Sequence, residues 1–225
     1  MAEWTCTKKI YDKETCDYII EKSLQIKSKK ATVRHYDKER DAKGFHLDES
    51  YRRSVVRWIK RDNDDLKFLY DDYSKFIDDV AKNYYKFDVT TLQNLQFTEY
   101  DESYDGEYKV HQDLINDDYW DEDIEHHRKI SFVLQLSDET TYEGGKLILN
   151  DANEPLPEEA KEQGTLISFP SYTHHTAGRV TKGKRYSLVA WLLGPRFTLP
   201  EYLVKPMERT QLLHLIKNWP NKSVD

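Results

Sequence analysis

The sequence predicts an α+β fold in which a helical N-terminal region supports a β-rich core. Apolar residues recur at helical spacing between residues 62 and 85, and short strand-like runs separated by turns follow between residues 92 and 193. Aromatic residues make up 13% of the chain, with 16 Tyr and 5 Trp, and large rings suit the pleated faces of strands. Many short strands with intervening turns favour a sandwich or jelly roll.

We expect residues 1–225 to form a single domain, because this length suits one hydrophobic core. Within it, residues 1–91 form a mainly helical support region, residues 92–194 the jelly-roll core and residues 195–225 a C-terminal extension. The extension contains an amphipathic helix over about 207–217, which packs on the core or forms a dimer contact. We therefore predict a monomer or a weak dimer.

The support region contains two predicted strands and two predicted helices. A strand over 7–11 precedes a helix capped by Asp12, whose buried stripe is Cys16, Ile19, Ile20 and Leu24. Residues 28–51 are highly charged and lack periodicity, so we expect a mobile loop or the edge of a lid. A strand over 54–59 and a long amphipathic helix over 62–85 complete the region.

The core contains seven predicted strands, and two acidic loops lie between them. A solvated surface explains these loops, over 115–127 and 150–163, although acidic loops at the mouth of a site can also recruit a basic substrate. The strands cover residues 92–100, 108–114, 129–136, 146–149, 164–169, 175–180 and 185–193.

Composition excludes several classes of protein. The net charge of -7 disfavours binding to nucleic-acid phosphates, which requires clustered basic residues. The 2 Cys residues are too few for a disulfide framework, which fits a reducing compartment. The N-terminus lacks a basic-then-apolar signal pattern, and the longest apolar run, Leu188–Leu193, is too short to span a membrane. We expect a cytoplasmic protein that binds neither nucleic acid nor membrane.

A metal site is predicted from His111 and Asp113. Alternation along a strand places residues i and i+2 on the same face, so the imidazole and the carboxylate lie side by side. A distant histidine, His175, can supply a third ligand, and adjacent His174 is its competitor. Two imidazoles and one carboxylate suit Fe(II), with zinc as the structural alternative.

The segment from Val180 to Arg185 adds a resemblance. His111-x-Asp113, the distant His175 and Val-Thr-x-Gly-x-Arg together resemble the Fe(II)/2-oxoglutarate dioxygenases of the prolyl 4-hydroxylase-like group. This resemblance covers about residues 92–191 and extends more loosely back to residue 11. It implies a double-stranded β-helix that binds Fe(II), 2-oxoglutarate and O2, with ascorbate as reductant. The Fe(II) ligands that it implies are His111, Asp113 and His175.

Arg185 is the residue that the resemblance assigns to the far carboxylate of 2-oxoglutarate. Period-two alternation puts Arg185, Ser187, Val189 and Trp191 on one strand face and turns Lys184 away. Arg179 is a further competitor but does not match the family spacing. Further 2-oxoglutarate contacts implied by the resemblance are Tyr100, Ser131 and Trp191.

The resemblance favours a prolyl 4-hydroxylase that acts on peptidyl proline. Tyr108, Tyr119 and Trp120 are predicted to contact the peptide, and the acidic residues 116–125 suggest Lys or Arg near the proline. One alternative is a 2-oxoglutarate dioxygenase for a free amino acid or another small molecule. A second alternative is a non-catalytic, cupin-like sensor that binds metal without turnover.

Overall fold

The computed structural model describes residues 5–34, 45–114, 126–149 and 156–195. Its helices are α1 (Lys13–Leu24) and α2 (Phe68–Ile77), and a π-helical segment, Asp78–Tyr85, continues α2. Short 3-10 helices cover Glu102–Tyr104 and Glu158–Lys161. The strands, in chain order, are β1 (Thr5–Lys9), β2 (Lys29–Lys30), β3 (Val33–Arg34), β4 (Phe45–His46), β5 (Arg52–Arg53), β6 (Val55–Ile59), β7 (Thr91–Leu92), β8 (Leu95–Asp101), β9 (Glu107–His111), β10 (His126–Gln135), β11 (Tyr142–Gly144), β12 (Leu147–Leu149), β13 (Thr165–Pro170), β14 (His175–Ala177) and β15 (Val180–Pro195).

Within the described residues, the strands form two main antiparallel sheets. The larger sheet has nine strands in the order β1-β13-β10-β15-β8-β6-β2, and β7 and β11 pair with β15. The smaller sheet has the order β12-β14-β9-β5, and β3 pairs with β4 separately. The predicted α+β class with a β-sheet core is therefore confirmed. The predicted C-terminal helix, over 207–217, lies outside the described residues.

The central strands of the larger sheet, β8, β10 and β13, are largely buried on both faces. Leu95 and Phe97 of β8, with Leu188 of β15, pack in the same apolar cluster as residues of α1 and α2. Complete burial of such a side chain stabilises the fold by about 1.5–3 kcal/mol. Because side chains alternate along a strand, the residues between them face away from the helices, toward the smaller sheet.

Helix α1 begins as predicted but buries a different stripe. The Asp12 carboxylate accepts a hydrogen bond of 2.9 Å from the Thr15 backbone N–H, which caps the first turn. Cys16 and Ile19 are buried as expected, whereas Leu24 is 41% exposed and Ser23 is buried instead. A residue eight positions after Cys16 lies about 80° around the helix from it, whereas one seven positions later lies within about 20°.

The predicted helix over 62–85 starts too early. Asn63 accepts hydrogen bonds from the Leu66 N–H through its side chain and from the Lys67 N–H through its carbonyl. These bonds form a turn, so α2 begins only at Phe68. In the part of the chain that the structure describes, neither helix has the length and apolarity needed to cross a bilayer.

One loop prediction and the bounds of two predicted strands also need correction. The stretch 28–51 is not only a loop, because β2 pairs with β6 and β3 pairs with β4. The break between the strands predicted over 175–180 and 185–193 lies earlier in the chain than expected. Strand β14 ends at Ala177, and β15 runs continuously from Val180. Gly183 has a φ of +71° within β15, a conformation that favours glycine, and a Cβ there would clash with the Thr141 carbonyl oxygen.

Candidate active site

A cavity of about 1020 Å³ lies between the two main sheets. The smaller sheet lines it with residues of β9 and β14, including His111 and His175. The larger sheet lines it with alternate residues of β8 and β15, which are Gln96, Thr98, Tyr100, Arg185, Ser187, Val189 and Trp191. The shared face predicted for the four β15 residues is therefore present.

Three potential metal ligands meet at the wall formed by β9 and β14. His111 and His175 are directly paired across these strands. Asp113 lies two residues beyond β9, where its backbone N–H donates a hydrogen bond of 2.9 Å to the Ser171 carbonyl. Ligand atoms of the three side chains all lie within 4.8 Å of one another. Nε2 of His111 lies 3.7 Å from Oδ1 of Asp113, and Nε2 of His175 lies 3.5 Å from Oδ2.

Both histidines are oriented by backbone carbonyl groups. Nδ1 of His111 lies 2.8 Å from the Lys109 carbonyl oxygen, and Nδ1 of His175 lies 2.9 Å from that of Thr173. A carbonyl oxygen can only accept, so each Nδ1 carries the proton and each Nε2 keeps its lone pair. The two lone pairs are therefore available on the side of Asp113.

The Asp113 carboxylate is held by a buried hydroxyl. The Ser131 hydroxyl donates a hydrogen bond of 2.7 Å to Oδ2 of Asp113, and Oγ of Ser171 lies 3.0 Å from Oγ of Ser131. Ser131 and Ser171 are fully buried. Such outer contacts fix the orientation of a ligating group and tune its affinity for a metal.

Electrostatics favour the protonation states that bind metal. Burial, assisted by neighbouring His175, lowers the pKa of His111 well below its ordinary value. Burial opposes ionisation of Asp113, but the two histidines and Arg128 outweigh it and hold the pKa of the carboxyl below its usual range. A neutral imidazole and an ionised carboxylate are the forms in which these groups coordinate a metal.

Arg185 places a buried positive charge in the same cavity. Its side chain is among the largest fully buried ones, and the residue is only 2% exposed. Its Nη2 donates a hydrogen bond of 2.8 Å to Oε1 of Gln135, and its guanidinium lies 5.7 Å from the ring centroid of Tyr100. Among the described residues, no carboxylate lies within salt-bridge distance of it. A buried charge with neutral partners strongly favours an anionic ligand.

A family model described as the 2OG-Fe(II) oxygenase superfamily matches residues 95–193. This range contains the three potential metal ligands and Arg185. Residues 95–193 are a 2OG-Fe(II) oxygenase domain. The resemblance inferred from His111-x-Asp113, His175 and Arg185 is thereby confirmed.

Known proteins related to the oxygenase domain include hydroxylases. A PKHD-type hydroxylase of Synechococcus sp. (strain CC9605) is 38% identical over 65 residues, which cover 29% of this chain and 29% of that protein. The match therefore spans less than a third of the relative's length. A prolyl-4-hydroxylase from Pseudomonas putida has a TM-score of 0.61 and 16% identity, covering 87% of this chain and 94% of that one.

A second solved structure shares the fold. It is a prolyl hydroxylase from Trichoplax adhaerens in complex with a hypoxia inducible factor oxygen degradation domain peptide fragment. Its TM-score is 0.62 at 14% identity, covering 86% of this chain and 84% of that one. At such identities the likeness shows the fold alone, and it confirms the predicted double-stranded β-helix.

The superfamily implies Fe(II), 2-oxoglutarate and O2, and the side chains of the oxygenase domain fit these groups. His111, Asp113 and His175 offer two imidazole nitrogens and one carboxylate, the donor set of non-haem Fe(II) oxygenases. Arg185 offers a planar fork of donors that matches a carboxylate. Its lack of a carboxylate partner among the described residues is what a 2-oxoglutarate site requires.

The other sequence-predicted contacts are only partly brought together in the oxygenase domain. Tyr100, Tyr108 and Trp191 line the cavity. Ser131 instead lies behind Asp113, with its hydroxyl on that carboxylate, so its contact with 2-oxoglutarate stays a prediction. Two predicted substrate contacts, Tyr119 and Trp120, lie outside the described residues.

The competing residues lie in different surroundings. Lys184 bonds to Asp101 through an Nζ–Oδ2 distance of 2.6 Å and is not part of the cavity lining. Arg179 is exposed and lies 3.4 Å from the Asp105 carboxylate. His174 lines the cavity but is not among the three clustered ligands.

Sequence reasoning missed two residues of the site, Gln135 and Arg52. Gln135 lies on the same face of β10 as Ser131, so period-two alternation was a signal that pointed to it. Arg52 lines the cavity from β5, within the charged stretch that adjoins residues 28–51. Its two-residue strand is defined by pairing with β9 and leaves no periodic signal in the sequence.

Proposed function

We propose that this chain is an Fe(II)/2-oxoglutarate-dependent hydroxylase that couples decarboxylation of 2-oxoglutarate to hydroxylation of a C–H bond. Its preferred substrate in this proposal is peptidyl proline, as for a prolyl 4-hydroxylase. The observation that carries the proposal is the presence, in one cavity, of the His111, Asp113 and His175 cluster and the buried guanidinium of Arg185.

The metal ligands in this proposal are His111, Asp113 and His175. Fe(II) and 2-oxoglutarate bound there would supply the chemistry by which O2 oxidises an unactivated C–H bond, with succinate and CO2 as by-products. The chain's own task is to keep three ligands on one side of the metal and leave the other side accessible. Hydrogen bonds from the two Nδ1 atoms to backbone carbonyls, and from Ser131 to Asp113, keep the ligands in these positions.

Arg185 anchors the far carboxylate of 2-oxoglutarate in this proposal. The Gln135 amide oxygen fixes the guanidinium from one side, and the Tyr100 ring lies beside it. Val133, Val189 and Ala177 add apolar surface to the cavity wall. These apolar side chains exclude water and lower the effective dielectric constant, which strengthens the ion pair between Arg185 and the carboxylate of 2-oxoglutarate.

Tyr108 and the fold support peptidyl proline as the substrate. The Tyr108 ring stacks on His111 with ring centroids 3.4 Å apart, so a substrate that touches Tyr108 lies next to the metal site. Because Arg52 also packs on this ring, the substrate in this proposal meets the ring edge and hydroxyl, along which an extended proline-containing chain can lie. The Trichoplax adhaerens neighbour was solved with a peptide in place.

The test is a turnover assay that reports both halves of the reaction. The protein is incubated with Fe(II), ascorbate, O2, 2-oxoglutarate and a set of proline-containing peptides, and succinate is measured alongside peptide mass. Succinate and a peptide that gains the mass of one oxygen atom are expected, while Asp113→Ala produces neither. Turnover of free proline or another small molecule with every peptide ignored would replace the peptide substrate, and absence of succinate with all substrates would favour a non-catalytic sensor.

A further inference from the structure

Arg52 is a second cavity arginine without a carboxylate partner among the described residues. Its Nε donates a hydrogen bond of 2.8 Å to Oγ of Ser54, and its Nη2 donates one of 3.0 Å to Oε1 of Gln96. The guanidinium lies 4.3 Å from the ring centroid of Tyr108. Nη1 makes no hydrogen bond to any described residue. All of its direct partners are electrically neutral.

Neighbouring arginines have acidic partners. Nη2 of Arg53 lies 2.7 Å from the Glu107 carboxylate, and Nη1 of Arg57 lies 2.9 Å from that of Glu99. The partner of Arg52 is instead the amide of Gln96. This amide is 6% exposed, and its Oε1 also accepts a hydrogen bond of 3.2 Å from Thr98, which holds the oxygen toward Arg52. The charge of Arg52 is therefore solvated by dipoles but not neutralised.

The position of Arg52 relates it to the reacting centre. Its guanidinium packs on one ring, Tyr108, which in turn stacks on His111 at an interplanar angle of 16°. Arg52 is thus separated from a metal-ligand candidate by the thickness of one aromatic ring. It is also half-buried, whereas Arg185 is fully enclosed, so an incoming substrate has access to it.

The charges that line the cavity also favour an anionic ligand. Among the described lining residues, Asp48 and Asp113 are the acidic ones, and the basic ones are Lys29, Lys30, Arg52, Arg128 and Arg185. Lys30 is paired with Glu49 at 2.6 Å, and the other four basic residues still outnumber the two acidic ones, in contrast to the net charge of -7 for the whole chain. A cleft lined by one sign of charge concentrates ligands of the opposite sign.

We infer that Arg52 binds a carboxylate of the substrate and that this enzyme selects substrates with a carboxylate close to the reacting carbon. The inference rests on the proposed function and narrows its substrate class. Arg185 serves the cosubstrate, and Arg52 serves the molecule that is hydroxylated. This selection is opposite in sign to the preference for Lys or Arg that residues 116–125 suggest, a segment outside the described residues.

The experiment measures binding without turnover. Protein saturated with Zn(II) and 2-oxoglutarate is kept under argon, and dissociation constants are measured by calorimetry for matched pairs of probes. The pairs are N-acetylproline against N-acetylprolinamide, and capped proline peptides with Glu against Gln beside the proline. Wild-type protein should bind the carboxylate member roughly tenfold or more tightly, as expected for a hydrogen-bonded charged group.

Three variants locate the effect. Arg52→Gln removes the charge, and Gln96→Glu keeps Arg52 but supplies an internal counter-ion, so both should abolish the preference for carboxylates. Arg53→Gln alters the adjacent arginine, whose partner is Glu107, and should retain the preference. Affinity for 2-oxoglutarate should be the same in wild type and Arg52→Gln, and thermal unfolding confirms that each variant is folded.

Three results would overturn the inference. The first is that wild-type protein binds no carboxylate probe more tightly than its neutral partner. The second is that the preference for carboxylates survives in Arg52→Gln. The third is weaker 2-oxoglutarate binding in Arg52→Gln, which would assign Arg52 to the cosubstrate. Failure of the proposed function is a separate result, because it is the absence of succinate in the Fe(II) turnover assay. Charge selection in the Zn(II) complex does not depend on turnover.

Discussion

The buried hydroxyl of Ser131 donates a hydrogen bond of 2.7 Å to Oδ2 of Asp113. The carboxylate also lies 3.5 Å from Nε2 of His175 through the same oxygen. The hydroxyl therefore fixes the rotation of the carboxylate, so that Oδ2 faces His175 and Oδ1 faces His111. This contact makes Ser131 a positioning residue for Asp113, which we propose as a metal ligand.

Replacement of Ser131 by alanine should therefore weaken metal binding. Outer contacts of metal ligands typically contribute about 10- to 100-fold in affinity, and we expect a loss in this range for Fe(II) or for Co(II) as a spectroscopic probe. The dissociation constant of 2-oxoglutarate, measured at saturating metal, should change little. A variant with normal metal affinity and weakened 2-oxoglutarate binding would instead support the cosubstrate contact predicted from sequence.

The adjacent pair His174 and His175 provides a matched test of the ligand set. His175→Ala should reduce metal affinity by more than loss of an outer contact does, because a coordinate bond is removed. His174→Ala should retain metal and most turnover, since its ring is not in the three-residue cluster. Metal content after gel filtration and succinate formation are the measurements. The opposite pattern would transfer the ligand role to His174.

Sequence periodicity predicted much of this site because strands alternate. Arg185, Val189 and Trp191 were placed on one face by counting in steps of two, and β15 does present them to the cavity. The resemblance supplied the pairing of His111 with the distant His175, which local pattern cannot do. Strand pairing across 64 positions depends on the packing of the whole sheet.

The sequence alone could not predict the role of a residue where that role depends on a neighbour from a distant part of the chain. Counting predicts the face on which Ser131 lies, but not that Asp113 occupies the space in front of it. Arg52 lines the cavity and bonds to Gln96, whereas Arg53 does not line it and bonds to Glu107. Those partners are brought in by other strands, so the sequence analysis singled out neither arginine.

Arg185 should determine affinity for 2-oxoglutarate. Loss of a buried charge-assisted pair costs about 2–5 kcal/mol, so Arg185→Ala should raise the dissociation constant of 2-oxoglutarate about thirtyfold or more, while metal affinity stays near that of wild type. Lys184→Ala is the neighbouring control, because Lys184 bonds to Asp101 and is not part of the cavity lining. Equilibrium binding to the Zn(II) form under argon separates this effect from catalysis. Unchanged affinity in Arg185→Ala would remove Arg185 as the anchor.

The cross-strand pair of Asp101 and Lys184 should make stability depend on pH. Burial tends to raise the pKa of Asp101, but hydrogen bonds from Lys184 and Ser103 outweigh it and leave the pKa below its usual value. A carboxyl with a depressed folded-state pKa stabilises the fold above its unfolded-state pKa, about 3.9. That contribution disappears as the pH falls through the folded-state value.

Asp101→Asn tests this dependence while keeping an acceptor for the Ser103 backbone N–H. At pH 7 the free energy of unfolding of the variant should be lower than that of wild type by about 1 kcal/mol. The difference is modest because Lys184 is half-exposed and solvent screens its charge. In urea titrations, the difference between wild type and variant should shrink below about pH 4, since protonated Asp101 no longer attracts Lys184. A difference that stays constant down to pH 2 would show that the lost contribution is packing or capping rather than charge, because neither of those titrates with the carboxyl.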